Sequence, residues 1–128
     1  MLAKELQIYK DCIELADVIL NIQQHLPRLL RYTIGQRMID ASLNMMHSII
    51  LANRRISERA KHCEEVAEGV EELGVCLRLI TKRKCVSNKH QARIVELLVK
   101  VGRQANGWKN SAKSGMCAEN SGNALRTG

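Results

Sequence analysis

Between Leu2 and Leu26 the apolar side chains fall into two rows at helical spacing. Leu2, Leu6, Tyr9, Ile13, Ala16 and Leu20 step by fours and threes, and so do Ile8, Cys12, Leu15, Ile19, Ile22 and Leu26. Side chains so spaced line one side of an α-helix, whereas a half-buried strand alternates with a period of two. One row serves a helix packed on a small core; two make a wider stripe than that core requires.

A second doubled pattern follows, with Met38, Met45, Ile49, Ala52 and Ile56 in one row and Ile39, Leu43, Met46 and Ile50 in the other. A third segment, from about Glu58 to Lys84, carries Cys63, Val66, Val70, Leu73, Leu77 and Ile80. A fourth begins near Ser87, an N-cap residue type, and carries Ile94, Leu98, Val101, Ala105 and Trp108. Pro27, the one proline, closes the first helix near Gln24, and the second opens near Tyr32. With no Phe, one Trp and two Tyr, the core is aliphatic and suits helix-on-helix packing. The expected fold is therefore all-α: an antiparallel up-down four-helix bundle over residues 1–110. Residues 111–128, SAKSGMCAENSGNALRTG, are small, polar and aperiodic, and read as a disordered basic tail. The surplus rows on the first two helices predict a cyclic homo-oligomer that buries them between subunits.

Charge is distributed in blocks. Met1–Pro27 holds two bases against four acids, and Arg28–Lys61 seven against two. His62–Leu77 holds five acids and no Lys or Arg, and the remainder eleven bases against two acids, for a net charge of +7. Basic blocks of this size point to a polyanion partner. Arg78 and Lys82, four apart, share a helix face, and Arg83, Lys84 and Lys89 cluster about the next turn. Bases at a helix C-terminus also complement its dipole, but this surplus exceeds what one helix end uses. Arg93, Lys100, Arg103 and Lys109 would extend the cluster as a stripe if they share its face. With few aromatics to stack on bases, binding would be electrostatic and largely independent of sequence.

The stretch LPRLLRYTIGQR places Gly35 in a helix between Arg31 and Arg37, where glycine costs about 1 kcal/mol relative to alanine. Missing bulk there would let a neighbouring backbone approach, and Arg28, Arg31 and Arg37 lie near a helix N-terminus that favours anions. A packing contact with solvated arginines is the plainer alternative. Asp40 is spaced to pair with Arg37. Gly102 and Gly107 suggest close packing, and Trp108 the closure of one bundle end. Glu64, Glu65, Glu68, Glu71 and Glu72 form either a solvated face or a patch for a neighbour's bases.

The five cysteines (Cys12, Cys63, Cys76, Cys85, Cys117) contain no CxxC pair and read as free thiols of a reducing, cytoplasmic compartment. His25, His47, His62 and His90 lack metal-ligand spacing, so no metal or cofactor is expected. The sequence carries neither a phosphate-binding loop nor a nucleophile elbow nor a paired carboxylate site, so no enzyme is expected, and no small-molecule substrate. No window approaches the ~18 apolar residues of a membrane span.

The segments RLLRYTIGQRMIDASL, LANR, CLRLITKRKCVSNKHQ and ELLVKVGRQANGWKNS resemble the accessory variability determinant proteins of diversity-generating retroelements. They are similar as well to the four-helix-bundle proteins encoded within intervening sequences of 23S ribosomal RNA genes. The sharpest parts are R-Y-T-I-G-Q-R and V-G-R-x-x-x-G-W. The first helix matches loosely, and His90-Gln91-Ala92 lacks an aromatic after the glutamine. The resemblance implies a pentameric barrel that binds a reverse transcriptase and nucleic acid, template RNA or cDNA, during mutagenic retrohoming. On that basis Arg28, Arg31, Arg37, Arg78, Lys82, Arg83, Lys84, Lys89, Arg93 and Arg103 are the candidate contacts. A ribosomal-RNA-associated bundle without a polymerase partner, and a purely structural oligomerisation module, are the alternative readings.

Overall fold

A computed structural model describes the backbone of residues 2–127 and side chains as far as residue 114. After a short 3-10 turn, Ala3–Glu5, helix α1 spans Gln7–His25 and stops before Pro27. Helix α2 covers residues 28–54 in three parts: a leading turn Arg28–Leu30, a π-helical turn Arg31–Gly35 and the α-helix Gln36–Arg54. Helix α3, Arg59–Lys82, follows a 3-10 turn, Ile56–Glu58, and helix α4 spans Asn88–Thr127. No strand occurs among the described residues. The fourth helix therefore continues past residue 110, where a structureless tail was expected; Ser111 to Ser114 bring no Pro or Gly to stop it. Most of the expected tail, with Cys117, lies where side chains are outside the described residues.

The helices pack in the cyclic order α1–α2–α3–α4–α1, each antiparallel to its neighbours. Ile8, Cys12, Leu15, Ile19, Ile22 and Leu26, one complete row of α1, are all buried. Met38, Met45, Ile49 and Ala52 join them from α2, as do Leu73 and Ile80 from α3 and Ile94, Val101 and Ala105 from α4. Full burial of each aliphatic side chain contributes about 1.5–3 kcal/mol, which makes this single cluster the main source of stability. The other row of α1 stands at the edge: Ile13 and Leu20 are exposed, Ala16 is half-buried between them, and Tyr9 is half-buried against the core.

Two glycines set helix spacing. At Gly69 on α3 an added Cβ would overlap Met45 Cγ and lie 2.7 Å from its Sδ, so Met45 fills the space that a side chain would occupy. At Gly35 an added Cβ would lie 2.9 Å from Gln23 Cγ, 3.1 Å from Leu26 Cδ1 and 3.2 Å from the Leu30 carbonyl oxygen. Gly35 thus admits side chains from the end of α1 and the wide turn's own carbonyl, where the sequence suggested a neighbouring backbone. Close packing was expected at Gly102 and Gly107, but Gly102 has only an ordinary contact with Val70 at 3.7 Å and Gly107 has open space.

Candidate polyanion-binding end

Up-down topology puts the α1–α2 and α3–α4 turns at the same end of the bundle. A shallow pocket there joins Ile22 and His25 of α1 to Cys85, Val86 and Ser87 of the α3–α4 turn. Arg28 leads out of one turn; Lys82, Arg83, Lys84 and Lys89 surround the other. These five cations lie at one end of the bundle, Arg28 far in sequence from the other four, and none has an acidic partner among the described residues. Helices α2 and α4 begin at this end while α1 and α3 finish there, so their dipoles oppose one another. The positive potential comes from side chains.

The α3–α4 turn is built to present them. Helix α3 closes with the Lys84 N–H donating to the Thr81 carbonyl at 2.9 Å and the Cys85 N–H to the Ile80 carbonyl at 2.9 Å. This is a Schellman closure, whose penultimate position usually holds glycine because its φ is positive. Here it holds Lys84, at φ 57°, the one non-glycine residue with positive φ among the described residues. Two residues later α4 starts under the expected cap: Ser87 Oγ accepts the His90 N–H at 3.1 Å.

The second-helix arginines divide. Arg31 donates to the Leu26 carbonyl at 3.2 Å, and Gln23 Nε2 donates to the Arg31 carbonyl at 3.2 Å. Arg31 therefore fastens the start of α2 to the end of α1, although its Nε is buried without a partner. Arg37 binds Glu72 of α3 at 2.6 Å, and Asp40 accepts a hydrogen bond from Gln36 at 3.0 Å. The expected Arg37–Asp40 pair is thus replaced by an interhelical one, because both carboxylate and guanidinium face the α2–α3 seam. Leu29 and Tyr32, at 76% and 65% exposure, stand beside Arg28 and escaped the sequence reading. Their lack of seam partners was the available signal.

The proposed stripe along α4 is mostly engaged within the chain. Arg93 contacts Glu14 at 3.5 Å and Glu96 at 3.2 Å, Lys100 contacts Glu96 at 3.3 Å, and Lys109 contacts Glu64 at 2.7 Å. Lys100 and Arg93 hold the Glu96 carboxyl below its ordinary range, and Lys109 does so for Glu64. Arg103 has no acidic partner among the described residues but stands about 20 Å along α4 from the cluster, at roughly 1.5 Å per residue. Arg78, likewise without one among the described residues, lies one turn below Lys82, over the α3–α4 seam.

The acidic block is partly spent inside the chain. Besides Glu64 and Glu72, Glu65 accepts the Ser48 hydroxyl at 2.9 Å and faces His62 Nδ1 at 2.9 Å. Glu58 faces the other ring nitrogen at 3.4 Å, so buried His62 satisfies both carboxylates only by donating from each nitrogen. Hydrogen bonding to His62 is the main cause of the lowered carboxyl pKa of both Glu58 and Glu65. Trp108 lies half-buried at this opposite end with the Arg59 guanidinium 5.1 Å from its ring centroid.

Cys12, Cys63, Cys76 and Cys85 are free. Burial pushes the Cys12 thiol up to about 12 and the Cys63 thiol to about 11, far from a reactive thiolate. Among the described residues no group of His, Cys, Asp and Glu is placed to hold a metal ion, and no helix is long and apolar enough to cross a membrane.

The family model described as bAvd-like matches residues 6–112, from the last turn before α1 well into α4. The chain belongs to the bAvd-like family. That match takes in the π turn, the cationic end and the whole buried core. It also ties the chain to a family of the accessory, non-catalytic type. No curated protein matches the chain.

Proposed function

We propose that this bAvd-like protein is a non-catalytic accessory factor of a retroelement. It holds template RNA or cDNA at the cationic end of its bundle, and as a cyclic homo-oligomer, a pentamer in the family resemblance, it docks on a reverse transcriptase. Its free thiols suit a cytoplasmic setting. The observation that carries this reading is the convergence of Arg28, Lys82, Arg83, Lys84 and Lys89 without acidic partners, one of them in a backbone conformation that favours glycine. A strained position kept for a charged side chain is a reason to look for a ligand. Leu29 and Tyr32 beside Arg28 add an apolar element suited to a protein partner such as the polymerase.

Phosphate neutralisation predicts a steep salt response. If an oligomer engages about six to ten phosphates, affinity for RNA or single-stranded DNA falls about 10³–10⁵-fold between 50 and 200 mM salt. Titration of labelled oligonucleotide across that range tests it, alongside co-purification with the reverse transcriptase. A flat salt response, with no retention of polymerase, would refute the proposal.

A further inference from the structure

A groove of about 500 Å³ runs along the seam between α3 and α4 and reaches the cationic end. Leu77 and Leu98 lie on its floor, and Val95 and Val99 stand exposed on its α4 side. Gly74 leaves the α3 side open, with nothing within 4 Å of where its Cβ would stand. The contact of Val70 with the Gly102 position fixes the level of these antiparallel helices. It sets Gly74 opposite Leu98, Leu77 opposite Val95 and Thr81 opposite Gln91. The half away from the cations is therefore aliphatic, and the half beside them is polar.

Unsatisfied groups gather in the polar half. Thr81 Oγ1 is buried without a hydrogen-bond partner among the described residues, a condition that folded proteins rarely keep. Across from it, the half-buried Gln91 carboxamide also has none. Arg78 and Lys82 rim the groove one helical turn apart, about 6 Å, and neither has an acidic partner among the described residues. Lys82 belongs to the cationic end as well, so groove and end are one continuous surface.

The fitting occupant has a flat uncharged body, hydrogen-bonding edges and an anion on either side. We infer that the groove takes one unpaired nucleotide of a bound single strand. This rests on the nucleic-acid reading above and adds a base site to its phosphate site. The base lies against Leu77 and Val95, as extruded bases do against apolar side chains. Its edge meets the Gln91 carboxamide and the Thr81 hydroxyl, which a rotation about χ1 turns into the groove. The flanking phosphates meet Arg78 and Lys82, one each. A paired base is excluded, because its faces are stacked and its edge is already hydrogen-bonded. A fatty acid would suit the aliphatic half and one cation but leave Gln91 and the second cation unsatisfied.

Oligothymidylate and an abasic strand of equal length carry the same phosphates, so the difference between them reads the groove. Fluorescence anisotropy at fixed salt should find oligothymidylate bound about five- to tenfold more tightly by the wild type. Thr81→Val removes an unpartnered hydroxyl, so it should not lower the Tm, yet it should reduce that preference about two- to threefold. Val95→Met/Val99→Met fills the groove at constant charge and should bring the two strands to equal affinity with an unchanged salt slope. Circular dichroism verifies that both variants remain helical. Equal binding of the two strands by the wild type, or a preference that both variants keep, overturns the inference and leaves the phosphate site standing. A wild type that binds neither strand refutes the nucleic-acid reading itself, and the inference with it. Loss of assembly by the methionine variant in native mass spectrometry would seat a second copy in the groove and likewise overturn the inference.

Discussion

Replacing Lys84 by glycine should move stability and binding in opposite directions. A side chain in the left-handed region costs about 1–2 kcal/mol, and Lys84 stands there at φ 57°. Glycine removes that cost but returns about 0.5–1 kcal/mol through the greater freedom of the unfolded chain. The net expectation for Lys84→Gly is a gain of about 0.5–1 kcal/mol, or roughly 2–5 °C in Tm for a chain of this size. The same change deletes one of five clustered cations, so the salt slope for single-stranded nucleic acid should shrink by about 0.7 for the lost phosphate contact. Differential scanning calorimetry and oligonucleotide titration at several salt concentrations supply the two readouts. Lys84→Asn, which tolerates the same φ, should share the weakened binding. A glycine variant that melts lower, or that binds with unchanged affinity and slope, would refute the idea that strain is kept here for charge.

Gly69→Ala should destabilise the bundle by about 1–3 kcal/mol through overpacking against Met45, less the ~1 kcal/mol that alanine gains in a helix. Pairing it with Met45→Ala in a double-mutant cycle in urea should show strong coupling, and simple additivity would count against the contact. Gly35→Ala should displace Gln23 and Leu26 and loosen the bond from Gln23 to the Arg31 carbonyl; faster amide exchange at the start of α2 is the measurement. Glu58 and Glu65 have folded pKa values lowered from 4.5, so their stabilising contribution is present above that value and fades as pH falls through the lowered range. The acid side of a Tm-against-pH curve should accordingly flatten in His62→Ala, which removes the main cause of both shifts. Arg37→Ala, by contrast, should leave the Tm nearly unchanged, because its pair with Glu72 is exposed.

Legibility from sequence followed periodicity. Both rows of α1 were readable residue by residue, because helical spacing alone determines them; which one enters the core was not, and the structure buries the row from Ile8 to Leu26 and leaves the other half-buried or exposed. The α3–α4 groove was not readable: Val95 and Val99 look like unremarkable surface residues until Gly74 stands across from them. Among the cations, sequence gathered Lys82, Arg83, Lys84 and Lys89, which are neighbours in the chain. It could not tell that Arg93, Lys100 and Lys109 face carboxylates, two of them on other helices. Nor could it see Lys84 in a left-handed conformation, since lysine itself gives no such signal.

The π turn makes the leading edge of α2 tolerant of length. Such a turn fits one residue more than an α turn into a single turn, so the extra residue is absorbed locally. Deleting a single residue between Tyr32 and Ile34 would convert it to ordinary helix and leave both the phase of Gln36–Arg54 in the core and the direction of Arg28 and Leu29 nearly unchanged. One residue can therefore be gained or lost there while the bundle tip keeps what it offers and the interior keeps its packing.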